Sequence, residues 1–343
     1  MIRKSKVPVV LVISLVLSVG SVFAAPQARA QTPLPIKIGC QTTPDWLLFV
    51  ARDLKLFEKA GLAPTYVKFV AGLPMIAAAQ SKSIDVADLG TVPFLVGLSQ
   101  GVDWVMIGIS MEGAYAEGVA ARKDSGINTL ADLKGKRIGY FKGSTAHYGL
   151  MMALRQQGIR LDQVTLLDMP PAEQLAALAK KDIDAAMVWE PWMQRMVHEA
   201  NARIIATEGD FGIYTNVTGY AARRDWLRDN KETAVRFLRA LLMAYDVLQK
   251  DPGIGVRTLA GEIGLKEAWV KEIYRDVPPP NMYWSTDHGY RYSLVEGSGF
   301  HRRLGYLATF LLEEKVISKE VDVSEALDVS VVTEALKTWK TGP

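Results

Sequence analysis

The side chains of this chain that could do chemistry cluster after a short apolar segment near its middle. Residues 137–141 lead into a glycine turn, and Ser144, Thr145 and His147 follow at the start of an apolar-periodic segment. This order predicts a strand, a tight turn and a helix whose first turn carries those three side chains. The first N–H groups of a helix have no internal partner and lie at the positive end of its dipole, so this stretch predicts an anion site. An ordinary capped helix start is the alternative that these residues leave open.

Three short segments of the chain recur at a nearly constant spacing. The pairs lie 100, 99 and 101 residues apart and begin at Ile38 and Ile138, at Ala77 and Ala176, and at Gly118 and Gly219. Within each copy, apolar segments of strand length alternate with segments of helical period. This alternation predicts an α/β fold of two doubly wound lobes, each with a mostly parallel sheet and right-handed crossovers.

The expected strands and helices follow from the same periodicity. Strands are expected near residues 36–40, 65–70, 84–89 and 104–109 in the first copy, and near 137–141, 163–168, 183–189 and 203–206 in the second. Helices are expected between them near residues 44–57, 74–81, 92–99, 145–157, 171–181 and 191–200. Five more helices are expected later in the chain, near residues 231–250, 252–263, 266–274, 290–314 and 331–339.

The third recurring segment predicts how the lobes are joined. Its copies, residues 116–122 and 217–223, flank the second unit, so each is expected to be a strand that carries the chain between lobes. We expect a first lobe of residues 31–117 and 223–343 and a second lobe of residues 118–222. Two crossings form a hinge, and hinged lobes can close around a ligand.

The first 30 residues have the three regions of a secretory signal peptide. Arg3, Lys4 and Lys6 precede an apolar stretch over residues 9–22, and small residues follow up to Ala30. We expect cleavage after Ala30 and export to the periplasm. The apolar stretch is too short to predict a stable membrane anchor.

Charge and cysteine content narrow the class of protein. The leader holds four basic residues and no acidic ones, so the rest of the chain has 36 basic and 37 acidic residues. That balance predicts no nucleic-acid partner. The single cysteine, Cys40, excludes an internal disulfide, and no cluster of cysteine and histidine predicts a metal site. Because no histidine or useful basic residue flanks Cys40, we interpret it as a small residue at a strand end rather than a nucleophile.

A ligand of an open α/β sheet binds beyond the carboxyl ends of the strands, where helix N-termini converge. This rule selects the turns near residues 40–46, 71–74 and 90–93 in the first lobe and 143–147, 170–171 and 189–192 in the second. The candidate donors in these turns are Thr91, Ser144, Thr145 and His147, the last either protonated or as the neutral tautomer. The candidate apolar walls are Trp46, Trp189 and Tyr220. The combination suits a small anion with an organic tail.

Glu190 is the unexpected member of this set. A carboxylate beside an anion site is costly unless it meets a cation. Three roles remain open for Glu190: it could bind an amino group on the ligand, pair with an arginine, or cap its own helix next to Pro191. The Arg223-Arg224 pair is interpreted as a solvated turn.

Three of these turns make the chain resemble the solute-binding proteins of ABC importers for sulfonates, taurine and nitrate. Residues 143–150 are similar to the Ser-Thr-Ala-His-Tyr segment of taurine-binding proteins and the Gly-Ser-Ser-Ala-His segment of alkanesulfonate-binding ones. Residues 182–192 resemble the family's Asp-x-x-x-Ala-x-x-x-Trp-x-Pro stretch, and residues 88–93 resemble its Gly-Thr/Ser-x-Pro turn. The resemblance covers essentially the whole chain after the leader.

This resemblance implies a fold of the type II periplasmic binding protein kind and a set of ligand contacts. The implied contacts are Gln41, Trp46, Gly90, Thr91, Ser144, Thr145, His147, Trp189 and Glu190, and we add Tyr220 as a wall. The assignment of Gln41 and Trp46 as contacts depends on a segment that follows the family pattern only loosely.

The resemblance also implies a function. The protein is expected to capture a small organic anion, foremost an aliphatic sulfonate such as taurine, in the periplasm. It would then deliver this anion to ABC permease subunits in the inner membrane. We expect a monomer that is not an enzyme and that uses no cofactor, no metal and no nucleic acid.

Two other functions fit the same fold. The first is a binder of nitrate, an aromatic acid or a pyrimidine, because short turn motifs do not separate these ligands. The second is an enzyme like the related pyrimidine synthases. Those enzymes carry a cysteine-rich segment and a lysine poised for a cofactor aldehyde, and the single Cys40 argues against that assignment.

Overall fold

Ten strands form two five-stranded sheets in the computed structural model, which describes residues 32–339. The first sheet contains β1 (Leu34–Gln41), β2 (Leu62–Phe69), β3 (Val86–Gly90), β4 (Trp104–Glu112) and β10 (Val217–Arg223). The second contains β5 (Glu117–Arg122), β6 (Arg137–Tyr140), β7 (Thr165–Asp168), β8 (Ala185–Trp189) and β9 (Ala202–Thr207). The predicted signal peptide and its cleavage site lie outside the described residues.

The two sheets have the same topology. Their strand orders are β2-β1-β3-β10-β4 and β7-β6-β8-β5-β9. In each sheet the first three strands pair in parallel, and the strand that crosses between lobes pairs antiparallel with both of its neighbours. The internal repeat of about one hundred residues is therefore a repeat of structure. The predicted fold of two doubly wound lobes with two crossing strands is confirmed.

Helices cover both faces of each sheet. The first lobe begins with α1 (Trp46–Asp53), α2 (Leu56–Lys59), α3 (Pro74–Gln80) and α4 (Thr91–Ser99), and the second contains α5 (Thr145–Gln156), α6 (Pro171–Lys180) and α7 (Trp192–Glu199). After β10 come α8 (Arg224–Asp229), α9 (Lys231–Lys250), α10 (Pro252–Ile263), α11 (Glu267–Asp276), α12 (Gly299–Glu313) and α13 (Val329–Trp339). Within residues 32–339, none of these helices has the length and apolar character needed to span a membrane.

Three boundaries differ from those predicted. Because β10 pairs in the first sheet, residues 217–222 belong to the first lobe, whereas the predicted boundary assigned them to the second. The helix expected over 44–57 is two helices, because Lys55 adopts a left-handed conformation with φ of 54° between them. The helix expected over 290–314 begins only at Gly299, where the Ser298 side chain accepts the N–H of His301 and starts the helix.

A buried arginine at the end of β10 bonds this crossing strand to the rest of the first sheet. Arg223, the last residue of β10, donates through Nε to the carbonyl of Ile84 at 3.0 Å and through Nη2 to Asp85 at 3.2 Å. Asp85 also accepts the backbone N–H of Lys37 in β1 at 2.9 Å. Arg223 is only 8% exposed, so its interpretation as part of a solvated turn is wrong.

The repeat places the same network in the second lobe. Arg122, the last residue of β5, donates to the carbonyl of Ile183 at 2.7 Å and lies 3.5 Å from Asp184. Asp184 accepts the backbone N–H of Arg137 in β6 at 3.0 Å. Each crossing strand is thus tied by one arginine to the strand beside it and, through an aspartate, to the next strand. This arrangement anchors the end of each crossing strand that lies away from the other lobe.

We expect Arg223→Ala to lower the free energy of unfolding by roughly 2–4 kcal/mol, because it leaves a mostly buried carboxylate without its cation. Urea denaturation measures the change. The control is Arg228→Ala, which removes an arginine whose side chain is 76% exposed in a surface pair with Asp229 and should cost less than about 1 kcal/mol. Equal effects of the two substitutions would show that the buried network does not stabilise the fold.

Candidate functional site

A cavity lies between the lobes at the carboxyl ends of the parallel strands. It encloses about 390 Å³ of space not filled by protein, part of it open to solvent. The first lobe lines it with Gln41, Thr43, Ala71, Gly72, Leu73, Gly90, Pro93, Met111 and Thr218, and the second with Glu117, Phe141, Ser144, Thr145 and Trp189. Among these lining residues none is lysine, arginine or histidine, and Glu117 is the single ionisable one.

The starts of two helices meet at this cavity. In α5, Ser144 is the N-cap, and the N–H groups of Thr145 and Ala146 follow it without an acceptor inside the helix. In α4, which follows Gly90 and has no side-chain cap, the N–H groups of Thr91 and Val92 are in the same position. Two positive helix ends therefore face one small space.

Gly90 allows the two helix starts to come this close. A Cβ atom at position 90 would lie 2.9 Å from the Thr145 Cγ2 atom, closer than real Cβ contacts come. Pro93 and Leu73 complete the first-lobe side, and Leu73 covers Gly143, where an added Cβ would meet its Cδ1 at 3.1 Å. The lobes are thus in contact around the cavity.

A second set of contacts joins the lobes away from the cavity. Arg195 of α7 donates to the carbonyl of Ile263 at the end of α10, at 2.6 Å. His198 of α7 stacks on Trp269 of α11 with ring centroids 4.1 Å apart. These contacts connect the second lobe to helices that follow β10, so opening the cleft would have to break them.

The two hydroxyl groups expected to bind the anion already donate within the protein. Ser144 Oγ donates to the carbonyl of Phe141 at 2.6 Å and accepts the N–H of His147. Thr145 Oγ1 donates to Glu117 Oε1 at 2.5 Å. Since each hydroxyl has one proton, neither has another to give to a ligand. In this structure the donors that α5 presents are its backbone N–H groups.

Thr43 supplies a free hydroxyl that the sequence did not single out. It is 3% exposed and lines the cavity, and its Oγ1 has no hydrogen-bond partner within the described chain. A buried hydroxyl without a partner is costly, so this group is available to a ligand. Thr42 and Thr43 stand side by side in the turn after β1, and their sequence context gave no reason to prefer one. Gln41, which was predicted, lines the cavity beside it.

Trp46 and Tyr220 do not form cavity walls. The indole N–H of Trp46 donates to the carbonyl of Val277 at 2.8 Å, and the ring packs edge-on against Tyr274 in the core of the first lobe. The Tyr220 hydroxyl donates to the carboxylate of Asp45 at 2.9 Å and is fully buried. The expectation that both rings contact a ligand is therefore corrected.

Thr91 and His147 lie behind the cavity surface. Thr91 Oγ1 donates to the carbonyl of Thr215 at 3.4 Å. His147 Nδ1 accepts the N–H of Gly143 at 3.3 Å, and its ring packs against Tyr140. Burial lowers the pKa of His147 to about 4, so the imidazole is neutral near pH 7 and brings no positive charge to the site. The option of a protonated His147 is corrected.

Trp189 lines the cavity, whereas Glu190 is buried and is not among the lining residues. Glu190 Oε2 accepts the N–H of Gln194 at 3.2 Å in the first turn of α7. Of the three roles left open, helix capping matches this geometry. Burial, with a smaller contribution from the charges of Asp276 and Glu272, raises the pKa of Glu190 to about 8.

Glu117 is a second polar cavity residue that the sequence analysis did not identify. It is the first residue of β5, 4% exposed, and its neighbours in the sequence are small residues that gave no sign of a site. The side-chain amide of Asn216 lies 3.5 Å from its second oxygen. Burial raises the pKa of Glu117. Residues 117 and 216 lie at the two crossings, so this carboxyl group belongs to the hinge as well as to the cavity.

We expect the stability of the wild type to fall relative to Glu190→Gln as the pH rises from about 5 to 8.5. The folded protein holds the Glu190 proton more tightly than the unfolded chain does. The resulting stabilisation is full below the unfolded pKa and is lost as the pH passes the folded pKa. The variant keeps an oxygen that accepts the Gln194 N–H. Over this pH range its free energy of unfolding should rise by roughly 1–3 kcal/mol relative to that of the wild type.

Urea unfolding at several pH values measures this difference. Glu173→Gln, which changes an exposed carboxyl group on α6, is the matched control. A free-energy difference between wild type and Glu190→Gln that stays constant with pH would contradict the burial of a proton at Glu190.

Comparison with known proteins supports the fold and gives the family. The chain matches the family model described as NMT1/THI5 like over residues 46–253. A protein of Escherichia coli strain K12 described as binding aliphatic sulfonates is 29% identical over 90% of this chain and 92% of its own length. The taurine-binding periplasmic protein of the same strain is 25% identical over 68% of this chain and 72% of its own length.

A solved structure shares the architecture of both lobes. The crystal structure of the periplasmic aliphatic sulphonate binding protein SsuA from Escherichia coli superposes with a TM-score of 0.74, at 23% identity, over 86% of this chain and 92% of that one. At this identity the likeness is one of fold, and the fold is that of a periplasmic binding protein. With the family model matching more than half of the chain, the protein belongs to the NMT1/THI5-like family.

Proposed function

We propose that the protein is the solute-binding component of an ABC importer and that its solute is a small organic anion, foremost an aliphatic sulfonate such as taurine. Relatives described as sulfonate-binding and taurine-binding support the class of protein and of ligand. The predicted leader supports export, and the relative with taurine in its description is periplasmic. The solute would pass from this protein to permease subunits in the inner membrane.

The observation that carries the proposal is the convergence of the α4 and α5 starts on a cavity without a basic side chain among its lining residues. A sulfonate is a monoanion with three oxygen acceptors. Backbone N–H groups at the starts of two helices, with the free hydroxyl of Thr43, supply neutral donors and favourable dipoles for such a group.

The remaining walls suit a short organic tail. Trp189 and Phe141 come from the second lobe, and Met111 and Leu73 from the first. A ligand that contacts both lobes stabilises the closed arrangement, because those contacts exist only when the lobes are together. The permease would thus recognise the ligand-bound protein by the closed arrangement of its lobes.

Cys40 fits binding better than catalysis. Its thiol is buried and donates weakly to the carbonyl of Val67, and burial raises its pKa to about 12. A thiol with so high a pKa forms almost no thiolate near neutral pH, and the thiolate is the nucleophile. The only cysteine of the chain is therefore a packing residue.

Calorimetry of residues 31–343 tests the ligand class. The titrants are taurine, ethanesulfonate, nitrate, an aromatic acid and a pyrimidine. We expect saturable binding of at least one sulfonate that is tighter than binding of the other three ligands. If no sulfonate gives heat, or if a pyrimidine binds most tightly, the proposed ligand class is wrong while the fold is unaffected.

A single substitution tests the donor set. Thr43→Val removes the free hydroxyl at nearly constant volume, so it should leave the thermal stability unchanged or slightly higher. It should weaken sulfonate binding by ten-fold or more, because a hydrogen bond to a charged group contributes about 1.5–3 kcal/mol. Thr309→Val, on the exposed face of α12, is the control and should bind like the wild type. Unchanged affinity in Thr43→Val would place the anion elsewhere.

A further inference from the structure

One carboxyl group lies in a cavity that is otherwise built for an anion. Glu117 is the single ionisable side chain among the residues that line the cavity, and it is 4% exposed. Its position is fixed, because Glu117 begins the crossing strand β5 and its backbone pairs with Trp189 in β8. A carboxyl group held at this place can only accept hydrogen bonds when ionised.

The protein supplies this carboxyl group with one good donor. Thr145 Oγ1 donates to Oε1 at 2.5 Å. The only other donor is Asn216 Nδ2, at the limiting distance of 3.5 Å from Oε2, and that amide already donates to Glu208 at 2.7 and 2.8 Å. Asn216 also donates to the carbonyl of Thr145 at 3.1 Å. Glu117 Oε2 therefore lacks a short hydrogen bond within the described chain, and a buried carboxylate in that condition is costly.

We infer that Glu117 is a specificity-determining residue that accepts hydrogen bonds from an ammonium group on the ligand, so that the protein selects zwitterionic aminoalkanesulfonates over simple alkanesulfonates. The inference rests on the proposed sulfonate-binding function. A cationic group in the cavity supplies both the missing donor and the missing positive charge.

The geometry also limits the length of such a ligand. Thr145 offers its backbone N–H to the anion and its hydroxyl to Glu117, so one residue spans the anionic and the cationic subsites. A ligand with a short spacer between its two charged groups, as in taurine, can reach both. A long spacer would have to fold back on itself inside the cavity.

The role differs from the one considered for Glu190. Glu190 accepts a backbone N–H of α7 and does not line the cavity. Glu208, the other buried carboxyl group near the hinge, accepts two bonds from Asn216 and does not line the cavity either. Of Glu117, Glu190 and Glu208, Glu117 is the one that lines the cavity.

The test is calorimetry with two ligands of matched shape. Propane-1-sulfonate carries a methyl group where taurine carries its ammonium group. The wild type should bind taurine at least ten-fold more tightly than propane-1-sulfonate. Glu117→Gln should lose most of that preference, bringing the two affinities within about three-fold of each other. Glu173→Gln should keep the wild-type preference, and thermal unfolding verifies that the variants are folded.

The possible outcomes distinguish failure of the inference about Glu117 from failure of the proposed sulfonate-binding function. If the wild type binds propane-1-sulfonate as tightly as taurine, or if Glu117→Gln keeps the preference, the inference about Glu117 is overturned and the sulfonate site stands. If neither sulfonate binds, the proposed function itself fails. The comparison of the two ligands on the wild type decides the question even if Glu117→Gln does not fold.

Discussion

The first N–H groups of a helix cannot be satisfied by the helix itself, and the cavity of this protein depends on that constraint. The repeat gives each lobe three helix starts at the cleft edge, those of α1, α3 and α4 in the first lobe and of α5, α6 and α7 in the second. Asp45 caps α1 by accepting the N–H of Leu48, and Glu190 caps α7 by accepting the N–H of Gln194. The starts of α4 and α5 have no carboxyl cap, and they are the two that meet at Gly90. Internal carboxyl groups thus close the starts of α1 and α7, whereas the starts of α4 and α5 stay open to a ligand.

The same repeat explains how the open ends are held in place. The two sheets share one topology, and an arginine at the end of each crossing strand bonds to an aspartate beneath it. Each crossing strand is therefore anchored at its far end, while the segments near residues 112–117 and 212–216 carry the chain between the lobes. Glu117 and Asn216 lie in those segments and contact the start of α5 through Thr145. A ligand at the cavity is in direct reach of the hinge.

The sequence was sufficient to predict both sheets, the crossing strands and the turn at Ser144, because alternating periodicity and a repeat are local signals. Gln41, Gly90, Ser144, Thr145 and Trp189 were also placed at the cleft edge, where the structure has them line the cavity. The direction of a side chain was not predictable where distant segments decide it. Trp46 turns inward because a carbonyl 231 residues later accepts its N–H. The hydroxyl protons of Ser144 and Thr145 are directed by a turn carbonyl and by Glu117, which no spacing rule identifies.

The central claim is that neutral donors at two helix ends hold the anion, without a basic side chain. A crystal structure of residues 31–343 with a bound alkanesulfonate, its sulfur located by anomalous scattering, tests this claim most directly. The account predicts sulfonate oxygens within hydrogen-bonding distance of the N–H groups of Thr145 and Ala146 and of the Thr43 hydroxyl. A sulfonate bound to a lysine or arginine side chain, or bound outside the space between α4 and α5, would contradict it.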